Sequence, residues 1–322
     1  MPRISILLPA RNAERTLPAA LRSIARQTFK DWEIVAVDDG STDRTPELLE
    51  GTRLIRTSGV GLVEALRRAA DVASAPLLAR MDADDLMHPR RLELQVEGME
   101  KLDVLASRVR THGTSAEGMR RYVAWQNGLL THDGIAGSMF IESPLVHPSV
   151  LMRRTSFDRA GGYRDAGWAE DYDLWHRMRE SGARFGKRPE TLLAWRDTPG
   201  RLTRTHALYA EEAFYAAKLS YFRRHPLARG PVTVWGAGPI GKARMRDLRA
   251  AGVEVAGAID IHPRKIGRTV AGGVRVRAAE EVLAERPRLI LGAVGSRGAR
   301  DLIRARLVRA GLVEARDFLF VA

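Results

Sequence analysis

Short apolar runs alternating with helical patterns open this chain. Residues 4–8, 32–37, 53–56 and 77–81 are apolar stretches bounded by polar turns, a pattern that predicts strands, whereas residues 13–27 and 60–73 carry apolar side chains at helical spacing. That alternation predicts a layered α/β domain with a largely parallel sheet, each strand ending in a loop on the edge where such sheets bind ligands. Residues from about 100 to 150 are less regular and read as an inserted segment on the acceptor side. Regularity returns at 149–153, followed by a helix over 170–181, strands near Ala183 and Leu193, and a closing helix over 206–224. Residues 225–231 hold two prolines and a glycine and read as a linker, after which a new strand starts at 232–235. The expected organisation is therefore one α/β domain at residues 1–228 and a smaller parallel-sheet domain at 229–322.

Composition narrows the class. An apolar share of 45% and a charged share of 28% are those of a folded globular chain. With no cysteine, neither a disulfide framework nor a thiolate metal site exists. The run at 4–8 is too short for a signal-peptide core, and no stretch approaches the roughly 20 apolar residues of a membrane helix. Together these favour a cytoplasmic protein. The net charge of +13 raises nucleic acid as a partner, yet only six of the 52 basic residues are lysine, a bias that a GC-rich genome produces by itself. No basic run is interleaved with aromatics as single-strand binding requires, so the charge reads as a solvated surface without nucleic acid. An anionic membrane surface, approached peripherally, is the intermediate reading. Oligomeric state leaves no signal.

Three acidic motifs carry the candidate chemistry. VDDGSTD at 37–43 puts Asp38 and Asp39 at the end of a strand beside a glycine turn, where a carboxylate can accept from a base N–H or a ribose hydroxyl. A plain Asp/Ser turn that caps the next helix, through Ser41 or Thr42, is the alternative, and both can hold together. In RMDADD at 80–85, Asp82 and Asp84 share a face if extended, and hard oxygen ligands of this kind hold Mg²⁺ or Mn²⁺ against a diphosphate. The competing reading is a structural acid cluster balanced by Arg80, Arg90 and Arg91. Third, Glu170 and Asp171 open a helix with an inward stripe of Leu174, Trp175 and Met178. Beside a metal–diphosphate site, one of them can take the proton from an attacking hydroxyl, Asp171 first and Glu170 as competitor.

In this order the motifs resemble the family-2 glycosyltransferases of GT-A fold over the first 205 or so residues. Pro9, Ala10, Arg11 and Asn12 are similar to that family's opening nucleotide turn, the stretch 27–43 to its base-binding strand, ARMDADD at 79–85 to its metal motif, and AEDYDLW at 169–175 to its general-base motif. The resemblance implies an inverting transfer from a nucleoside-diphosphate sugar to a saccharide or lipid-linked acceptor, in cell-surface polysaccharide or glycolipid synthesis. It implies Asp171 as base, Asp84 as principal ligand of Mg²⁺ or Mn²⁺, and Arg80 and Asp82 on the donor side. HPSVLMRR at 147–154 also looks like a family segment, in which His147 either reaches the metal or diphosphate or is a turn histidine before Pro148. The processive members' QxxRW motif is absent, which implies a non-processive enzyme. Trp195 and Arg196 either line the acceptor side or, for Trp195, pack in the core.

VWGAGPIG at 234–241 follows a strand and precedes a helix, the context of a phosphate-binding glycine fingerprint built on Gly236, Gly238 and Gly241. Asp260 lies 19 residues beyond Gly241 at the end of another apolar strand, where an acid can hold a ribose. This part resembles Rossmann-type modules attached to sugar-modifying enzymes, which implies a dinucleotide or nucleotide ligand; an empty domain used for packing is the other reading. Two further functions compete for the whole chain: an NAD(P)-dependent sugar-modifying oxidoreductase centred on the C-terminal domain, and a non-catalytic nucleotide-sugar binding protein.

Overall fold

The computed structural model describes residues 1–113, 116–296 and 298–322, which fall into two compact units. The first comprises Met1–Ala136 and Pro144–Ala213, the second Gly137–Ser143 and Phe214–Ala322. The units part at residue 213, earlier than the proline-containing stretch at 225–231. The helix Glu211–Arg224 runs unbroken, and its Phe222 packs edge-on against Phe140 of the short piece that belongs with the second unit.

The first unit is built on eight strands: β1 (Ile4–Ala10), β2 (Trp32–Asp39), β3 (Arg53–Thr57), β4 (Leu77–Arg80), β5 (Leu86–Met87), β6 (Val104–Gly113), β7 (Leu151–Arg153) and β8 (Phe185–Asp197). They form one sheet in the order β3-β2-β1-β4-β7-β6-β8-β5. The expected strands β1 to β4 are present and mutually parallel, so the loops after β1 and β2 and the acid-bearing end of β4 share one edge. All seven residues of β1 are buried, as a central strand covered on both faces requires. The helix Leu17–Ala25 turns Leu17, Ala20 and Ile24 inward, and the helix Leu62–Val72 turns Ala65, Leu66, Ala69 and Ala70 inward. The segment read as irregular contains the ten-residue strand β6, and the two strands expected near 183 and 193 are one continuous β8 beside it.

In the second unit, β9 (Val232–Trp235), β10 (Val255–Ile259), β11 (Thr269–Val270), β12 (Val274–Arg277), β13 (Ile290–Gly292) and β14 (Phe318–Phe320) lie in the order β11-β12-β10-β9-β13-β14. All neighbours are parallel except β11 with β12. The chain reverses its direction of winding at β9, the arrangement of doubly wound α/β sheets. The turn after β9 is shaped by its glycines in different ways. Gly236 has φ +125°, and a Cβ there would stand 2.6 Å from the Ala293 carbonyl oxygen. A Cβ on Gly241 would lie 1.8 Å from the Gly236 carbonyl oxygen, so the helix Pro239–Ala250 seats against the turn only without a side chain at that position. At Gly238, its chain neighbours aside, no atom of the other described residues lies within 4 Å of where a Cβ would stand. Gly241→Ala should therefore cost about 2–3 kcal/mol of stability in urea denaturation, while Gly238→Ala should change it by less than about 0.5 kcal/mol.

Candidate active site

The loops after β1 and β2 are laced together. Asn12, at φ 50°, accepts at its side-chain oxygen from the Thr42 amide (2.9 Å) and donates its own amide to Ser41 Oγ (2.9 Å). Ala13 and Glu14 donate their amides to Thr45 Oγ1 (2.7 Å) and Asp43 Oδ2 (3.1 Å), and Arg44 donates back to Glu14 Oε2 (3.2 Å). Pro9 and Ala10 end β1 beside Val37 and Asp38 of β2, which sets the turn carrying Arg11 and Asn12 next to the Asp38–Asp39 turn. The helix-capping role weighed for Ser41 and Thr42 is replaced by this cross-loop lacing.

Asp38 and Asp39 have different surroundings. Both oxygens of Asp39 are committed, accepting from Thr57 Oγ1 (2.6 Å) and the amides of Val60 (2.6 Å) and Gly61 (2.9 Å). Burial pushes the Asp39 carboxyl up, but these donors and the Arg11 charge outweigh it and hold it below the usual range. Among the described residues the Asp38 carboxylate accepts one hydrogen bond, from the Ser41 amide at 3.3 Å. Asp39→Ala should lower the melting temperature by about 3–8 °C because it removes the acceptor of three part-buried hydrogen bonds. Asp38→Ala should leave melting nearly unchanged and weaken nucleotide binding, which calorimetry would read.

Asp82, Asp84 and Asp85 come together at the end of β4, with one carboxylate oxygen of each within 4.8 Å of the others. Arg80, fully buried, donates from Nη2 to Asp82 at 2.6 Å and from Nη1 to the Met81 carbonyl. Asp85 is 1% exposed; its Oδ1 accepts from the Arg196 amide at 2.7 Å, while its Oδ2 is buried with no partner among the described residues. Burial and the neighbouring Asp82 charge push Asp84 up to about 6, against the pull of Arg201 and Arg196. Asp85 is raised well above the usual range by burial and by Asp82 and Asp84. Of the cations weighed as structural balance, Arg90 pairs outward with Glu93 (2.8 Å), and Arg91 is buried, donating to Gln95 Oε1 and the carbonyls of Arg80 and Val150.

Glu170 and Asp171 open the helix Glu170–Glu180, and their surroundings differ. Glu170 is 2% exposed and accepts from Tyr209 Oη at 2.6 Å; its other oxygen lies 3.3 Å from His147 Nδ1. His147 Nε2 lies 2.7 Å from Tyr163 Oη, and burial holds the imidazole below its ordinary pKa. A neutral ring donating from Nδ1 to Glu170 and accepting the Tyr163 hydroxyl at Nε2 satisfies the whole chain of groups. Both nitrogens of His147 are thus engaged, and it stands outside the carboxylate cluster. Burial pushes Glu170 up, but the His147 and Tyr209 hydrogen bonds outweigh it and keep it ionised. Asp171 is half-buried, and among the described residues its side chain accepts one hydrogen bond, from the Tyr172 amide (2.7 Å) to Oδ1. Burial and the charge of Glu170 raise its carboxyl well above the usual range. Arg80 connects the two acid groups electrostatically, bonded to Asp82 and acting on both Glu170 and Asp171. Trp195 is 8% exposed within the core, which favours packing over acceptor lining.

The glycine turn belongs to the second unit, where Asp260 is spent internally: its oxygens accept from the amides of Ala237 and His262 and from Lys265 Nζ, each at 2.9 Å. Spacing located Asp260 at a strand end but could not show that the glycine turn itself would consume its lone pairs. Tyr163, Tyr209 and Arg201 were not expected from sequence, and no motif spacing marks them.

A parallel sheet whose adjacent strands end in a laced polar turn and a carboxylate cluster, with an ionisable acid on a nearby helix start, defines a glycosyltransferase of GT-A fold. Residues 5–161 match the family model described as Glycosyl transferase family 2, so this part of the chain is a family-2 glycosyltransferase domain. It is 28% identical over 234 residues to EpsE of Bacillus subtilis (strain 168), covering 65% of this chain and 78% of that one. It is 41% identical over 95 residues to a PGL/p-HBAD biosynthesis glycosyltransferase of Mycobacterium tuberculosis (strain ATCC 25618 / H37Rv), covering 27% of this chain and 37% of the other. S. aureus TarS 1-349 in complex with UDP-GlcNAc shares the fold at TM-score 0.55 and 17% identity, covering 70% of this chain and 67% of that one. Among the described residues no helix is long and apolar enough to cross a membrane.

Proposed function

We propose that this glycosyltransferase is inverting and metal-dependent, moving a glycosyl group such as a hexosyl residue from a nucleoside-diphosphate sugar to the hydroxyl of a saccharide or lipid-linked acceptor. The reading places it in cell-surface polysaccharide or glycolipid synthesis, in line with the mycobacterial relative named for PGL/p-HBAD biosynthesis. Its place is the cytoplasm, with the basic surface available to the inner face of the membrane. The observation that carries the reading is the division between two neighbouring acids: Glu170 is buried and doubly bonded, Asp171 half-buried and basic.

Three converging carboxylates, one with a buried oxygen that lacks a partner, fit a hard divalent cation. Asp84 and Asp85 would hold it, with Asp82 turned partly to Arg80. When bound, Mg²⁺ or Mn²⁺ neutralises the diphosphate as it leaves. Asp38, Arg11 and Asn12 seat the nucleoside at the laced edge, and Asp39 holds the wall of that edge at residues 57–61. Asp171 takes the proton from the acceptor hydroxyl as it attacks the anomeric carbon on the face opposite the departing diphosphate, so configuration inverts without a covalent intermediate. Glu170 keeps Asp171 basic by its charge, and His147 and Tyr209 hold Glu170 in place. The second unit takes no part in the transfer in this reading; Gly236, Gly238 and Gly241 form its own candidate nucleotide turn. A thermal-shift screen of nucleotide sugars with and without Mn²⁺ tests the donor reading: stabilisation by one donor that requires the cation is expected, and stabilisation by none overturns it.

A further inference from the structure

Arg201 is a charge with an unusual setting beside the acid cluster. Its guanidinium lies over the Trp195 ring at 3.9 Å from the centroid, and its side chain is 13% exposed. It stands 4.0 Å from Asp197 and donates once, from Nη1 to the Arg196 carbonyl at 3.3 Å. Its remaining N–H groups have no hydrogen-bond partner among the described residues. The residue that accepts from it, Arg196, gives its own amide to Asp85, so Arg201 is tied through one residue to the carboxylate cluster. The charges of Arg201 and Arg196 act on Asp84, and that of Arg201 on Asp85, while Arg80 is bonded to Asp82. Three carboxylates therefore already face three guanidinium groups before any ligand arrives.

We propose that Arg201, with Arg196, makes this site accept a divalent cation together with a diphosphate and resist the cation alone; this rests on the metal-dependent donor reading above. A bare divalent ion entering the cluster is attracted by the carboxylates but repelled by the two guanidinium groups, which lowers its affinity. A diphosphate arriving with the ion brings further anionic oxygens to these guanidinium groups, whose planar N–H edges suit phosphate oxygens. Binding of the two ligands is then coupled, each raising the affinity for the other. For the enzyme this keeps the acids from being occupied by free metal and lets the arginines share the leaving group's charge.

The test measures affinity for two probes by calorimetry, Mn²⁺ alone and the preformed Mn²⁺–pyrophosphate complex, which carries no base or sugar. Arg201→Gln should bind Mn²⁺ alone about tenfold more tightly and the pyrophosphate complex about tenfold more weakly. Opposite signs are something that a folding defect cannot produce. Arg201→Lys should keep the weak binding of bare Mn²⁺, because the charge remains, and recover part of the pyrophosphate affinity. Shifts of both probes in the same direction, or no shift in either, overturn the role of Arg201. Asp84→Ala separates this from failure of the metal reading. Loss of both probes there, with Arg201→Gln unshifted, leaves the metal site standing without the coupling. Unchanged binding in Asp84→Ala, or no binding by the unaltered protein, removes the metal reading and the coupling with it.

Discussion

Asp171→Asn should lower the rate of nucleoside diphosphate release by at least about 10²-fold, the usual worth of a positioned general base, while leaving the affinity for donor and cation unchanged. The asparagine keeps the hydrogen bond from the Tyr172 amide to the side-chain oxygen, so the helix start is undisturbed and only the proton acceptor is lost. The same residue predicts the pH profile. The base acts when ionised, so kcat should rise with pH through the raised pKa of Asp171, with an acid limb above the ordinary carboxylate range. Glu170→Gln removes the neighbouring negative charge and should move that limb to lower pH. Retained turnover in Asp171→Asn, or an acid limb that Glu170→Gln leaves in place, would show that the proton goes elsewhere.

Asp84 should trade activity against stability. Asp84→Asn is expected to lose metal-dependent turnover by about 10²-fold or more and yet to melt about 2–5 °C higher than the unaltered protein without metal. The sign follows from the proton balance. In the folded protein Asp84 is pushed up to about 6 from an ordinary 3.8, so the folded state holds its proton to higher pH than the unfolded chain does. Stability therefore falls as pH rises from about 4 to about 6 and stays lower above that range. The melting advantage of the asparagine variant should grow across this window and then level off. Added Mn²⁺ together with pyrophosphate should raise the melting temperature of the unaltered protein and leave that of the variant where it was. A variant melting lower than the unaltered protein at neutral pH would show that the carboxylate is a structural partner instead.

Several of these groups were visible in the chain and others were not, for identifiable reasons. Asp38, Asp82 and Asp84 stand directly after apolar runs, and strand ends on a parallel sheet converge, so local pattern placed them together. Strand β6 was hidden because Arg108, Arg110, Thr111 and His112 break its apolar run; its extended shape comes from pairing with β8, some eighty residues away. The choice between Glu170 and Asp171 could not be read from two adjacent acids. What separates the two is His147 and Tyr209, which arrive from other parts of the chain and bind Glu170, and the proposed assignment of Asp171 as base rests on that difference. Arg201 likewise reaches the carboxylates through Trp195 stacking and a backbone carbonyl, neither of which has a sequence signature. The double use of the DD turn, with Asp39 as wall and Asp38 left with a single partner, required the positions of Val60 and Gly61.

The three glycines of the second unit's turn differ in what constrains them, and the difference is of use beyond this chain. At Gly236 and Gly241 a side chain collides with backbone, so retention of glycine there through descent reports only that the turn folds. Gly238 has ordinary backbone angles and empty space where a methyl group would go. Folding tolerates a methyl group at that position, and its rate of replacement among descendants of a common ancestor is therefore the most sensitive of the three to ligand occupancy. A saturation library scored separately for abundance and for biological output would read the same signal in a single generation.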